Sequence, residues 1–475
     1  MIENNIPKSV KNICCIGAGY VGGPTMAVIA DRCPSVKVTV VDINKERIDN
    51  WNSNDLSRLP VFEPGLDKII ERVRNKNLFF STCVGQKISE ADLIFISVNT
   101  PTKTKGIGAG QASDLRWVES CARNVAEFAK GFTIVVEKST LPVRTASVIK
   151  SILSSTTSNS EKKNFAILSN PEFLAEGTAV NDLEKPDRVL IGGEDHQAIN
   201  LLEEIYLNWV PSNKIIKTNL WSSELSKLVA NAFLAQRISS VNSISALSEA
   251  TGADVREVSR AIGLDTRIGE KFLNAGPGFG GSCFKKDILN LVYLCNYFGL
   301  HEVAEYWNQV IFLNNWHQER IYKLIVKKLF GTIIGKKITI LGFAFKANTN
   351  DTRESPAISL CNNLLEEGAI LSIHDPKVSK EQIKKDLPKF SYDMEKLNTS
   401  GTWHFSGNIM DSVKGADAVL LITEWDEYKD IDWKAISCYM RKPAWVFDTR
   451  SILPRELIRK TGLNLWTIGD GYYQN

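Results

Sequence analysis

Apolar residues run along this chain in two textures. Within the first 220 residues, short continuous runs rich in β-branched residues occur at NICCI, VKVTVVD, DLIFISVNT, FTIVVEKST and NFAILSN. Several end in small polar residues, as strands of a parallel sheet buried on both faces do. The first run passes through the glycine turn GAGYVG into the apolar helical pattern PTMAVIA, and the second run follows. The chain therefore opens as a βαβ unit. TKTKGIGAGQ and SSTTSNSEKKN have the composition of connections.

From Trp221 the period changes. WSSELSKLVANAFLAQRISSVNSISALSEATG keeps helical spacing, with Ser222 or Ser223 as candidate N-cap and Gly252 as the stop. Helical character persists to about residue 330. Strand texture returns at KKITILGFAFK, and the order of the first third repeats in outline. ILSIHD ends in Asp375 as VTVVD ends in Asp42, DAVLLITEW echoes DLIFISVNT, and PAWVFDTR echoes FTIVVEKST. The pattern predicts an α/β chain of two Rossmann-like, doubly wound domains, 1–219 and 332–475, joined by a helical middle domain, 220–331, with a ligand cleft between them. The second copy lacks a Gly-x-Gly-x-x-Gly turn, so it need not bind a dinucleotide.

Composition narrows the classes. A length of 475 residues and a net charge of +3, with cations scattered among acids, give no field of the kind that gathers nucleic acid. The nine cysteines form no regular framework, no CxxC and no His/Cys metal spacing, so no metal is expected. The start MIENNIPKSVKN has no basic-then-apolar leader pattern, and no apolar run reaches ~18 residues. A soluble, cytoplasmic protein with reduced thiols and no membrane span is expected.

Gly17, Gly19 and Gly22 stand after a strand and before a helix, where a tight turn and free helix amides can accept a pyrophosphate. Asp42 closes the next strand about twenty residues on, placed for a ribose diol. An acid there repels a 2′-phosphate and favours NAD over NADP, although the nearby Arg47 tempers that preference.

GPGFGGSCFKKD sets Cys283 among glycines and charges rather than in apolar periodicity. With Ser282 as cap, Cys283 would lie in the first helical turn, where backbone amides favour a thiolate. Lys285 and Lys286 add positive potential, and Asp287 lies one turn on along the same face. The alternative is a small buried hydrophobe, the role expected of Cys14, Cys15, Cys295, Cys361 and Cys438. A nicotinamide domain with a nucleophilic thiol suggests carbonyl oxidation through a thiohemiacetal and a thioester. Lys227 and Asn231, spaced i,i+4, could share a cleft face, or Lys227 could pair with Glu224 on the surface.

GAGYVG, VVDIN, SVNTPTKT, VEKSTLPVR, LSNPEFLAEGTA, SSELSKLVANAFLAQRISSVNSISAL, GFGGSCFKKD, LGFAFKANTNDTRES and TEWDEY, in order from about residue 11 to 450, closely resemble the UDP-glucose 6-dehydrogenases of eukaryotic type, within the UDP-glucose/GDP-mannose dehydrogenase family. The resemblance implies two NAD-dependent oxidations of the C6 alcohol of UDP-glucose, through an aldehyde and an enzyme-bound thioester, to UDP-glucuronate. Cys283 would be the nucleophile. Lys227 and Asp287 would handle protons and hold water, with Lys227 also stabilising an alkoxide, Glu172 acting as acid/base in hydrolysis and Thr140 positioning water.

By the same resemblance NAD would be held by Gly17, Ala18, Gly19, Tyr20, Val21 and Gly22, by Asp42 and Arg47, by Val98, Asn99, Thr100, Pro101 and Thr102, and by Ser139, Thr140 and Arg353. Glu176 would lie near the nicotinamide. The UDP-sugar would touch Glu172, Phe173, Leu174, Lys227 and Asn231, then Asn274, Gly278, Phe279 and Gly280, and the cations Lys346 and Arg450. Arg267 would reach a neighbouring subunit's substrate, implying a homo-oligomer, a dimer at least and a hexamer in animal relatives. Asn274 stands where animal members carry Lys, FDTRS replaces FDGRR, and Gly276-Pro277 replaces the usual Ser-Val. The long basic tail of some relatives is not expected after Tyr473. GDP-mannose or UDP-N-acetylmannosamine as substrate, and a catalytically silent NAD- and sugar-nucleotide-binding protein, are the competing readings.

Overall fold

The computed structural model describes residues 7–140, 142, 144–155, 163–390 and 401–472. Most of SSTTSNSEKKN, the first six residues and the last three lie outside them. The chain divides into two compact units, Met1–Ala230 with Leu289–Leu300, and Asn231–Ile288 with His301–Asn475, so that the division falls inside two helices.

The first unit is built on β1 (Asn12–Ile16), β2 (Lys37–Val41), β3 (Leu78–Ser81), β4 (Leu93–Ile96), β5 (Phe132–Glu137), β6 (Asn164–Ser169), β7 (Val189–Gly193) and β8 (Ile215–Thr218). Their order is β3-β2-β1-β4-β5-β6-β7-β8. All pairs are parallel except β6 with β7. Successive residues of each apolar run feed opposite faces: Cys15, Val40, Phe95 and Val136 enter one core, and Cys14, Val41, Ile96 and Val135 the other. That two-sided burial is why the strands read as unbroken apolar runs. The strand order reverses between β1 and β4, the crevice where such sheets take ligands.

The second unit carries β9 (Lys337–Leu341), β10 (Ile370–His374), β11 (Thr402–Phe405), β12 (Ala418–Leu421), β13 (Trp445–Asp448) and β14 (Asn464–Thr467), in the order β11-β10-β9-β12-β13-β14 and parallel throughout. This matches the first six strands of the other sheet. Asp375, the counterpart of Asp42, accepts the amides of Phe343 (2.7 Å), Ala344 (3.0 Å), Lys377 (2.8 Å) and Val378 (2.9 Å) and the indole of Trp425 (3.2 Å).

Long helices occupy Leu220–Thr251, Phe284–Tyr297 and His301–Lys328. The first is capped by neither Ser222 nor Ser223. The Asn219 side chain accepts the Ser222 amide at 2.8 Å, while the Ser223 hydroxyl is buried against Ser169 at 2.9 Å. Gly252 ends it as expected, with φ +84°. In the second unit these helices leave large apolar side chains exposed, among them Phe233, Leu247, Phe312 and Trp316.

Candidate active site

The turn after β1 is shaped by glycine where nothing larger fits. At Gly17, φ +114°, an added Cβ would lie 2.2 Å from the Ser97 carbonyl oxygen, and at Gly22 2.0 Å from that of Gly17. Gly19 by contrast faces open space. The helix Gly22–Arg32 that follows has no side-chain cap and no acid in its first turn, so its amide end is suited to an anion. The Asp42 carboxylate accepts the amides of Ala18 (3.0 Å) and Asn44 (2.9 Å) and pairs with Arg47 at 3.1 Å. Arg47 thus braces the acid. The segments after β4 and β5 are stitched together, Thr100 Oγ1 donating to the Thr140 carbonyl (2.9 Å) and Ser139 Oγ to that of Val98 (2.7 Å). Asn99 and Pro101 are exposed, and Thr102 pairs in a bridge with Ser113.

Lys227 does not pair with Glu224. It is 4% exposed, and its Nζ lies 3.0 Å from Glu172 Oε1, itself on a residue 6% exposed. Glu172 Oε2 accepts the Leu174 amide (3.0 Å), and Nζ also lies 5.6 Å from the Phe173 ring centre, over which Arg188 stacks at 3.8 Å. Glu172, Phe173, Leu174 and Lys227 are therefore one cluster. The loop carrying half-buried Glu176 is fixed by Glu63, which accepts the amides of Gly177 (2.8 Å) and Ala179 (3.0 Å).

In the second unit the helix carrying Asp287 starts at Phe284, one residue later than the sequence suggested, because the Cys283 carbonyl accepts its first i→i+4 bond, from the Asp287 amide (2.8 Å). Cys283 therefore stands at the helix threshold, half-buried, with Ser282 Oγ 3.4 Å from its Sγ. Asp287 is 1% exposed; it accepts the Asn231 amide side chain at 2.6 Å and lies 3.4 Å from Lys286 Nζ. Lys285 turns outward to Glu354. Of the cysteines expected to be inert, burial pushes Cys14 up to about 12 and raises Cys15, Cys295 and Cys361. Cys438 is exposed instead, on a short amphipathic helix whose buried face is carried by Trp433 and Ile436.

The loop before Cys283 is held by side chains to which neither motif nor spacing gave a role. Asn242 accepts the Gly276 amide (2.9 Å), His317 Nε2 meets the Gly276 carbonyl (2.9 Å), and Asn314 bonds both the amide (2.9 Å) and the carbonyl (3.2 Å) of Phe279. Burial, aided by the Arg320 cation, pushes His317 down to about 3, so it donates as a neutral ring. Gly276 lies against Arg450, whose Nη1 would be 3.2 Å from an added Cβ. Arg450 in turn donates to the carbonyls of Ile422 (2.6 Å) and Phe345 (3.2 Å). Lys346 lies over the Phe345 ring at 5.6 Å. Asn274 is exposed, and Arg267 is exposed and paired with Asp265. Arg353 belongs to this second unit; it pairs with Asp351, and its carbonyl accepts the Gly281 amide (2.9 Å). Among the described residues, no group of three or more His, Cys, Asp or Glu side chains is arranged to hold a metal.

Comparison with known proteins extends these geometries. Residues 11–210, 221–316 and 339–455 match the NAD binding, central and UDP binding domains of the UDP-glucose/GDP-mannose dehydrogenase family. UDP-glucose 6-dehydrogenase 5 of Oryza sativa subsp. japonica is 56% identical over 469 residues, 96% of each chain. The chain belongs to the UDP-glucose/GDP-mannose dehydrogenase family. UDP-glucose 6-dehydrogenase of Drosophila melanogaster is also 56% identical, covering 97% of this chain and 96% of the relative. A UDP-glucose dehydrogenase structure from Pyrobaculum islandicum aligns over 98% of both chains with a TM-score of 0.81 at 28% identity.

This member of the UDP-glucose/GDP-mannose dehydrogenase family is an oxidoreductase that uses NAD. The turn after β1 fits that cofactor: an open Gly19, an uncapped helix start and an acid already oriented by Ala18 and Asn44. No helix among the described residues is long and apolar enough to cross a membrane. In the loop before Cys283, a Cβ at position 280 would lie 2.4 Å from the Glu354 carbonyl oxygen. Gly280→Ala is expected to cost about 1–3 kcal/mol of stability. It should also lower kcat/KM for the sugar nucleotide by about tenfold or more while leaving NAD affinity unchanged, as steady-state kinetics beside a cofactor titration would reveal.

Proposed function

We propose that this enzyme oxidises the C6 alcohol of UDP-glucose twice, giving UDP-glucuronate and two NADH for each UDP-glucose, NAD pair and water consumed, and so supplies a precursor for nucleotide-sugar and polysaccharide synthesis. What carries the reading is the Cys283–Asp287–Asn231 group at a helix threshold, on a chain 56% identical to UDP-glucose 6-dehydrogenases over 96% of its length.

When bound, NAD supplies the acceptor for the hydride lost from C6 in each oxidation. The hydroxyl proton of the first oxidation passes to Asp287, and the Lys227 ammonium donates to O6 and stabilises the charge developing there. The Cys283 sulfur then bonds to the aldehyde carbon while its proton passes to O6, giving a thiohemiacetal with an sp³ carbon; as the second hydride leaves, the hydroxyl proton goes to Asp287, which has released its first proton to water. A thioester remains. Water held by Thr140 loses a proton to Glu172 and adds to the thioester carbon; the carbon–sulfur bond breaks, and Cys283 leaves as thiolate. The buried Lys227–Glu172 pair, 3.0 Å apart, supports this division of labour by placing the group that stabilises O6 beside the base that deprotonates water.

Arg450 and Lys346 are assigned to the diphosphate, matching a domain of UDP binding type. Large exposed apolar side chains on the long helices, Phe233, Leu247 and Phe312, support association with a second copy, and nine free thiols support a cytoplasmic location. Purified enzyme with NAD and UDP-glucose is expected to form close to two NADH per sugar nucleotide consumed, and to sediment at no less than twice the mass of one chain. Preference for a mannose nucleotide, or binding of the sugar nucleotide without NADH formation, would overturn the substrate and the activity respectively.

A further inference from the structure

The chemistry above has no use for Glu137. It closes β5, is 1% exposed, and neither carboxyl oxygen meets an N–H donor among the described residues. What faces it within hydrogen-bonding reach is a second buried carboxyl, Glu224 of the helix Leu220–Thr251. Glu224 in turn accepts the amides of Arg144 (2.7 Å) and Ala146 (3.0 Å) at the start of the helix Thr145–Ser155.

Two ionised carboxylates cannot sustain that contact, since each is only an acceptor and both are charged in a dry site. The neighbouring cations point elsewhere. Lys138 donates to Asn170 (2.9 Å) and Tyr206 (3.2 Å), the Arg144 guanidinium lies over the Phe298 ring (5.3 Å), and Lys227 pairs with Glu172 (3.0 Å). Burial and the charge of Glu224 hold the Glu137 carboxyl well above the ordinary range, and burial raises Glu224 too, against the pull of its two amides.

We propose that Glu137 and Glu224 share a single proton, and that this acid–carboxylate bond latches the Lys138–Thr140 segment and the start of the helix Thr145–Ser155 to the helix bearing Lys227. Glu137 immediately precedes Lys138, Ser139 and Thr140, and Glu224 lies one turn before Lys227. The pair is therefore a positioning device for a cofactor segment and for a proton-handling lysine at once, and it rests on that reading of Ser139, Thr140 and Lys227. Loss of the shared proton at alkaline pH places two negative charges face to face and loosens both attachments. An acid whose proton is held in the folded state above its unfolded range stabilises the latch at low pH, and this contribution fades as pH rises through the raised value.

The test uses the whole enzyme without sugar nucleotide, so the thioester chemistry and the substrate assignment can fail independently. Infrared difference spectra at pH 7 are expected to show a protonated-carboxyl stretch in wild type that Glu137→Gln lacks. By calorimetric titration, NAD affinity in wild type should weaken by about tenfold or more from pH 7 to pH 10. Glu137→Gln, whose amide donates to Glu224 at every pH, should match wild type at pH 7 and stay level. An unchanged infrared band in Glu137→Gln, or the same alkaline weakening in both proteins, would overturn the shared proton.

Discussion

Replacing Cys283 by serine is expected to lower net turnover by a factor on the order of 10⁴ or more while leaving NAD affinity intact, the scale seen when a covalent nucleophile is removed from an otherwise complete site. The geometry gives the reason. Cys283 stands at a helix threshold with Lys286 and Asp287 within the next turn, and a thiol there reaches its reactive anion far more easily than a hydroxyl does. Serine also makes a poorer leaving group, so any acyl adduct it forms should be an ester that hydrolyses slowly. Mass spectrometry of the substituted enzyme after incubation with UDP-glucose and NAD would detect that adduct. Turnover near wild type in Cys283→Ser would sink the thioester route, and with it the mechanistic half of the proposed function.

Lys227→Met should have two separable effects. Removing one partner of a buried pair strands Glu172, and such losses cost about 3–5 kcal/mol; urea denaturation should register it. Turnover should fall by about 10²–10⁴, the usual range for a lost proton-handling group. Adding Glu172→Gln to Lys227→Met removes the stranded charge and should recover much of the stability while turnover stays low. A double variant that regained activity together with stability would show Lys227 to be structural only.

The sheets were legible because two-sided burial writes itself as unbroken apolar runs, and the repetition of VTVVD as ILSIHD is matched by the same order of six parallel strands in both sheets. The dinucleotide turn was legible because Gly17 and Gly22 fill backbone approaches closed to any side chain. Helix starts were less so. Asn219 rather than Ser222 or Ser223 caps the long helix, since several polar residues in a row compete for one position and only tertiary burial of Ser223 decides among them. The ambiguity over Lys227 had the same origin: spacing along a helix finds Glu224, whereas the carboxylate actually paired with it, Glu172, comes from a loop 55 positions earlier in the chain. Asn242, Asn314 and His317 escaped notice because a polar residue on a buried helix face carries no period of its own; its partner is the backbone of a distant loop.

Asp42 and Asp375 end equivalent strands, yet their carboxylates differ in unspent valence. A carboxylate offers about four lone-pair positions. Among the described residues Asp375 meets five donors from its own unit, whereas Asp42 meets three, one of them the guanidinium of Arg47. One sheet thus saturates its terminal acid with its own donors, where its twin keeps acceptor capacity beyond the donors described. Repeating a fold does not repeat its appetite for a ligand; that is set by how much of each polar group the chain leaves unanswered.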